Sequence, residues 1–450
     1  MTHEERYEIY ERRIADIDAI VVKQAKTIEE LRAEIRRLKL GSTSRNSSLP
    51  PSKDLKRSKP LSSTREKSNR KRGGQPGHEG KYLEMRQEID AVHDHRSATC
   101  MQCGTDLSLI EGCIDQKGQI LDIPPVKIKV TEHRQIAKVC PCCHSINKGT
   151  LPGTLDYCQV QYGDHIRNLI VYMNVYQFIP VQRIREMLFE IYDCQVSTGF
   201  IKTCIEQKAD ELRSEYCKIK EAILQSPCVG SDETGCKIEG ERQWMWIWCT
   251  DRFSYIIPSK NRGYKTIQDV LGEVKHNFTL VSDCWASQLK TMCRKFQLCM
   301  AHLIRDCNKL IDYYNSRWAM NLKTLFQEIV DLSKEANPPP KKLKAIEIRL
   351  DLLLRAILNQ RTRQIKTFQK RLIKYRESIT TCLYDPSVPA TNNQSERGIR
   401  NLKVKENVSK CFRSMKGAES YAIIRSIFNS AILQGKSPMN ALTSLDILFN

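Results

Sequence analysis

The sequence predicts a multidomain protein of the α/β plus α class that begins with a coiled coil. Three observations carry this reading. First, 450 residues exceed what one hydrophobic core organises, so two to four domains are expected. Second, apolar residues recur at heptad spacing near the N-terminus. Third, beyond Ser226 the pattern changes from helical periodicity to three short strand-like runs, then a helix, then further strands.

Charge narrows the partners. The chain holds 72 Lys and Arg against 52 Asp and Glu, a formal charge of +20 that points to nucleic acid or an anionic membrane. No apolar run approaches the roughly 20 residues that span a bilayer, and "RNLIVYMNVYQFIPV" is broken by Asn174 and Gln177, so no membrane partner is expected. "MTHEERYEIYERR" has no signal-peptide core, and the chain is expected to remain where it is made. Its 19 cysteines, an odd number without an export signal, favour thiols and metal ligands over disulfides.

Residues 1–40 form the first segment. Tyr7, Ile14, Val21, Ile28 and Ile35 mark one seam, and Tyr10, Ile17, Leu31 and Leu38 mark the other with Gln24 interrupting it. The pattern is that of a coiled coil pairing two copies of the chain, or of an amphipathic helix lying on its own domain. Residues 41–81 are rich in Ser, Pro, Lys and Arg and bury too little apolar surface to order themselves. They read as a basic arm whose "RKRGGQPGHEG" brings Arg70, Lys71 and Arg72 to DNA phosphates, or as a plain charged linker.

Residues 82–152 carry Cys100-x-x-Cys103 and Cys140-x-x-Cys143 around a strand-like "VKIKV". Four such thiolates suit a closed tetrahedral zinc site with a structural role, in a zinc-ribbon-like module, and Cys142 is an alternative fourth ligand. Residues 153–225 read as helical, with a turn near "IPVQRI" and a capping signal at Ser197 and Thr198. The α/β segment is placed at 226–410 and a C-terminal helical segment at 411–450.

The candidate chemistry lies in the α/β segment. Asp232 and Asp283 each end a strand-like run, and if those strands are neighbours the two carboxylates converge. Neighbouring anions raise each other's pKa unless a cation lies between them, and a hard ion such as magnesium suits oxygen ligands. In "TNNQSERGIRNLKVKEN" Glu396 is an acid beside a basic band of Arg397, Arg400, Lys403 and Lys405, with Glu406 beyond it. It is either an ordinary helical pair with Arg400, worth about 0.2–0.5 kcal/mol, or a third metal ligand whose basic neighbours hold a DNA strand. Asn392 shares that helical face, and Glu233, Asp251 and Asp306 are alternative acids.

In their order, "NSSLPPSKD", "RKRGGQPGHEG", the paired cysteines, "VQYGDHIRNLIVYMNVYQFIPVQRI", "SDETG", "CMAHLIRD" and "NNQSERGIRNLKV" resemble the insertion-sequence sixty-six family of bacterial DDE transposases across nearly the whole chain. The resemblance implies an RNase H-like catalytic core with Asp232, Asp283 and Glu396 as the acids, and a helical insertion at about 316–386. It implies Mg2+ or Mn2+, two ions per site, with Asp232 bridging them. It also makes Lys403 a DNA contact and places His302, beside Cys299 and Arg305, near the metals. "SDCWAS" departs from the glycine and tyrosine more usual after that aspartate. Implied partners are DNA at the element's inverted repeats and at the target, a second copy of the chain, and accessory transposition proteins, in the bacterial cytoplasm at the nucleoid. The residues alone also allow a zinc-containing DNA-binding regulator without chemistry, or a nuclease or resolvase that cuts and never joins.

Overall fold

The computed structural model describes residues 3–41, 46, 83–124, 126–152, 160–335, 337–358, 362–444 and 448–449. Arg70, Lys71 and Arg72 lie outside the described residues. Two units are present, Arg57–Val130 and the remainder of the chain.

In the smaller unit the first cysteine pair sits in a turn closed by a bridge between Thr99 and Asp106. "VKIKV", expected as a strand, is exposed and forms no ladder among the described residues. The strands of this region come later in the chain. In the larger unit, β1 (Ala137–Val139) and β2 (Ile146–Lys148) form an antiparallel hairpin whose loop holds the second cysteine pair.

Helix α1 (His3–Leu40) is continuous for 38 residues, and its heptad side chains, among them Ile14, Ile17, Ile28 and Leu31, are exposed. Helices α2 (Asp164–Val171), α3 (Val181–Tyr192), α4 (Thr198–Glu211) and α5 (Arg213–Gln225) follow. Between α2 and α3 the chain makes one π-helical turn at Tyr172–Tyr176, and Pro180 then caps α3. Ser197 Oγ accepts from the Phe200 N–H at 3.0 Å and starts α4, as the cap signal requires. Ile170, Ile184, Leu188 and Ile201 form a small core of their own.

The central sheet comprises β3 (Cys228–Ile238), β4 (Glu241–Cys249), β5 (Ser254–Ser259), β6 (His276–Ser282) and β7 (Cys293–Leu298), with α6 (Tyr264–Leu271) crossing between β5 and β6. Strand order is β5-β4-β3-β6-β7; β3 to β5 are antiparallel, whereas β6 and β7 run parallel to β3. Glu239 and Gly240, both at positive φ, make the tight β3–β4 turn.

Helices α7 (Met300–Tyr314), α8 (Arg317–Leu332), α9 (Pro340–Arg355) and α10 (Arg363–Lys374) form a second core around Leu303, Leu322, Phe326, Leu350 and Phe368. The end of α1 rests on α7, where Arg36 Nη1 donates to the Tyr313 carbonyl at 3.4 Å. Helix α11 (Asn393–Ser409) then lies on β3 and β4, and α12 (Met415–Leu433) covers β5.

The last helix packs into the main core. Helix α12 is buried without a break from Ser420 to Ala431, in one core with the sheet and α5. Ser430 Oγ accepts from the Ser254 N–H at 3.0 Å and Ser426 Oγ from the Ile256 N–H at 2.9 Å. Two serines thus satisfy the outward donors of an edge strand that would otherwise template aggregation. Among the described residues no helix is long and apolar enough to cross a membrane.

Candidate active site

Strands β3 and β6 pair in parallel as far as Gly230 and Val281. Asp232 lies two residues beyond that point and Asp283 follows the last residue of β6, so both acids sit where the parallel pair opens, the usual place for a ligand in such sheets. Asp232 does not end its strand, as the sequence suggested; β3 continues to Ile238 as half of the hairpin with β4. Asp232 Oδ1 accepts from the Glu233 N–H at 2.9 Å, and Asp283 Oδ1 from the Trp285 N–H at 3.1 Å.

Two glycines let α11 approach the sheet. A Cβ on Gly230 would lie 2.5 Å from Ser395 Oγ, and one on Gly398 would lie 2.6 Å from Ile247 Cδ1. Asn392, buried at the helix start, fixes the approach with three bonds. Its Nδ2 donates to the Ser231 carbonyl at 2.6 Å, its N–H donates to Cys299 Sγ at 3.2 Å, and its carbonyl accepts from the Glu396 N–H at 3.1 Å. Strand β3, the start of α7 and the first turn of α11 meet at this one residue.

Electrostatics reflect the convergence. Burial, then Glu233 and Asp283, and to a smaller extent Glu396, push the Asp232 carboxyl well above the ordinary range. Glu396 divides its oxygens. Oε2 takes Arg400 Nη2 at 3.2 Å, the helical pair the sequence allows, while Oε1 is buried without a hydrogen-bond partner. It lies 3.8 Å from His302 Nδ1, which is also buried and unpartnered. Burial and then Arg305 hold the His302 pKa below its usual value.

This donor set suits a divalent cation. Burial and the neighbouring acids disfavour the ionised form of Asp232, and Glu396 Oε1 is buried without a hydrogen-bond partner, both of which a cation would relieve. Cys299, His302 and Glu396 also place one donor atom each within 4.8 Å of the others. Burial holds the Cys299 thiol up at about 11, and its sulfur already accepts the Asn392 N–H, so it acts as a tether in this structure.

Of the alternative acids, Glu233 adjoins Asp232 but is engaged by other side chains, and burial and then Asp283 raise its carboxyl to about 7. Glu233 Oε1 accepts from Arg262 Nε and Nη2 at 3.0 and 2.9 Å, and Gln288 Nε2 donates to Oε2 at 2.6 Å. Asp251 is exposed in the β4–β5 turn, and Asp306 is paired with Arg371. Arg262 is a residue the sequence reading missed. Its guanidinium covers Trp285 at 3.9 Å and Trp244 at 4.7 Å, which braces the loop carrying Asp283. No local pattern announces it, since its partners come from three separate segments.

Among the basic candidates of α11, Arg397, Arg400 and Lys403 are exposed. Lys403 Nζ also donates to the Gly235 carbonyl and pairs with Glu406. Lys405, expected to contact DNA, lies on the opposite face. It is buried, donates from Nζ to Asn174 Oδ1 at 3.1 Å, and falls with Ser395, Ile399 and Leu402 on the inward stripe of the helix.

The two cysteine pairs adopt the same local turn. Cys100 N–H donates to the Thr105 carbonyl at 2.8 Å, and Cys140 N–H to the Ser145 carbonyl at 2.9 Å. Gly104 and His144, the residues after each second cysteine, both have positive φ. Hydrogen bonding with Thr105 holds the Cys103 thiol down at about 7, and hydrogen bonding with Ser145 does the same for Cys143. Thiolate character of this kind favours a metal.

A family model described as zinc-finger binding domain of transposase IS66 matches residues 97–144, which contain both turns and support a structural zinc ion. A family of unknown function matches residues 4–84. Comparison with curated proteins returned no match. The model of the Transposase IS66 family matches residues 159–420, which take in the helices before the sheet, the sheet itself and the helix that bears Glu396. With more than half of the chain matched, and the zinc-finger match ahead of it, the protein belongs to the IS66 family of transposases.

Proposed function

We propose that this transposase cleaves DNA at the terminal inverted repeats of its insertion element and joins the freed 3′ hydroxyl to target DNA, in an RNase H-like core. What supports the reading is that Asp232 and Asp283 sit where β3 and β6 open, that the charges of Asp283 and Glu396 both reach Asp232, and that Glu396 Oε1 is buried and unpartnered. Sheet order and strand directions agree with an RNase H-like core, in which the segment from α8 to α10 is the helical insertion.

Asp232, Asp283 and Glu396 would hold Mg2+ or Mn2+. When bound, such ions neutralise charge on the transferring phosphoryl group and lower the pKa of attacking water. The chain's own residues do the rest. Asn392 fixes the distance between Glu396 and the strand of Asp232. Arg262 and Trp285 hold the Asp283 loop, whose Trp285 N–H orients that carboxylate. Arg397 and Arg400 face outward beside Glu396 and attract the DNA backbone whatever its sequence, so affinity falls steeply with salt.

Cys100, Cys103, Cys140 and Cys143 are the proposed zinc ligands. The exposed seam of α1 supports pairing of two chains, which would bring two element ends together.

The test is strand cleavage and joining on a terminal-repeat duplex with Mg2+. Asp232→Asn, Asp283→Asn and Glu396→Gln should each reduce joining at least about 1,000-fold while duplex binding persists. Specific binding with no metal-dependent cleavage by the wild type would favour a regulator, and cleavage without joining would favour a nuclease.

A further inference from the structure

A cavity of about 390 Å³ opens beside Asp283, walled by α7 on one side and the end of α1 on another. It contains more positive charge than its own acids use. Arg371 is taken by Asp306, and Arg37 by Glu34 at 2.5 Å. Arg305 and Lys309 line the same cavity, and among the described residues neither makes an ion pair. Together with His302 they stand at i, i+3 and i+7 on α7, one stripe roughly 10 Å long at 1.5 Å per residue. The stripe begins at the imidazole that faces Glu396 and leads away from the carboxylates.

The other walls are aromatic. Trp285 lines the cavity with its indole Nε1–H buried and unpartnered, while Arg262 holds its ring. Tyr313 lines it too, anchored through its hydroxyl to the Gly41 carbonyl at 3.3 Å. Two cations in no ion pair among the described residues, beside aromatic surface, are the groups that hold a nucleotide within a strand.

We propose that this cavity seats the DNA nucleotide next to the scissile phosphate, with its backbone phosphate on Arg305 and Lys309 and its base or sugar against Trp285. The proposal rests on the DNA-cleaving reading above and adds the protein's grip on the strand beside the cut.

The experiment combines protein and DNA changes. Element-end duplexes carry one uncharged methylphosphonate linkage at each position in turn on both sides of the cleavage point. Binding in Ca2+ and joining in Mg2+ are measured for full-length wild type, Arg305→Ala, Lys309→Ala and the charge-keeping Arg305→Lys and Lys309→Arg. For wild type, one linkage next to the cut should weaken binding about tenfold, and each alanine variant should lose about tenfold on unmodified DNA with a salt slope shallower by about one. At that one linkage the two losses should not multiply, and the charge-keeping variants should recover most of the binding.

Losses that multiply at every linkage, or alanine variants that bind as wild type does, would overturn the proposal. Coupling present without any joining by the wild type would leave the cavity assigned and remove the joining reaction. Joining without coupling would do the reverse. Free mononucleotide competing as well as the duplex end would mark a small-molecule pocket and also overturn it.

Discussion

Asn392 Nδ2 reaches the Ser231 carbonyl at 2.6 Å, so the residue that opens α11 is bonded to the residue immediately before Asp232. This link sets where Glu396 stands, because the Asn392 carbonyl also receives the Glu396 N–H. Asn392→Ala leaves a buried carbonyl unpaired and should cost about 1–3 kcal/mol, read as a lower denaturation midpoint. Joining activity should fall further than that stability loss explains, since the acids separate. Asn392→Asp should be worse than alanine, because it buries a further anion beside Asp232.

Gly398 sets the depth at which α11 lies. Its missing Cβ would fall 2.6 Å from Ile247 Cδ1, so Gly398→Ala must lift the helix or move a core side chain of β4. The expected cost is about 1–3 kcal/mol even though alanine is the better helix former. Thermal unfolding with divalent-metal titration checks it, and weaker metal dependence of folding should accompany the lower midpoint.

Lys405 makes stability depend on pH. Burial brings its ammonium down to about 8 from 10.5. Between those values the unfolded chain binds the proton and the folded chain does not, so stability rises with pH from about 8 to 10.5 and the contribution is lost as pH falls through 8. The full swing is at most about 3 kcal/mol. Lys405→Met should be no less stable than wild type at pH 7 and should flatten the rise, as denaturation midpoints across pH 7–11 would show. It should leave DNA affinity almost unchanged, whereas Arg397→Ala should weaken it at low salt.

Metal analysis tests the cysteine turns. One zinc per chain is expected, and Cys103→Ser and Cys143→Ser should each lose it, because a closed four-thiolate site fails when one ligand goes. A full equivalent retained by either variant would remove that cysteine from the ligand set and bring Cys142 forward.

What the sequence revealed and what it concealed follow from the range of the interactions. The strand-like runs after Ser226 and the Ser197 cap are local signals, and the structure has elements at those places. Asp232 and Asp283 could be paired on the page because a strand crossover limits which ends can adjoin. Lys405 belongs to the basic run but not to its exposed face, because the 3.6-residue period turns every third or fourth position inward. The union of α12 with β5 rests on serines some 170 residues from the backbone they satisfy, and no periodicity records such a bond. Arg262 escaped for the same reason. "VKIKV" had the composition of a strand without a neighbour, and a strand is a property of pairs.

The central claim is that three distant carboxylates share divalent cations, and anomalous diffraction from Mn2+-soaked crystals of the full chain tests it most directly. The account predicts manganese within about 2.5 Å of oxygens from both Asp232 and Asp283, with Glu396 Oε1 turned to the same ion or its neighbour. Manganese bound only among Cys299, His302 and Glu396, or aspartates left bare at saturating metal, would contradict it.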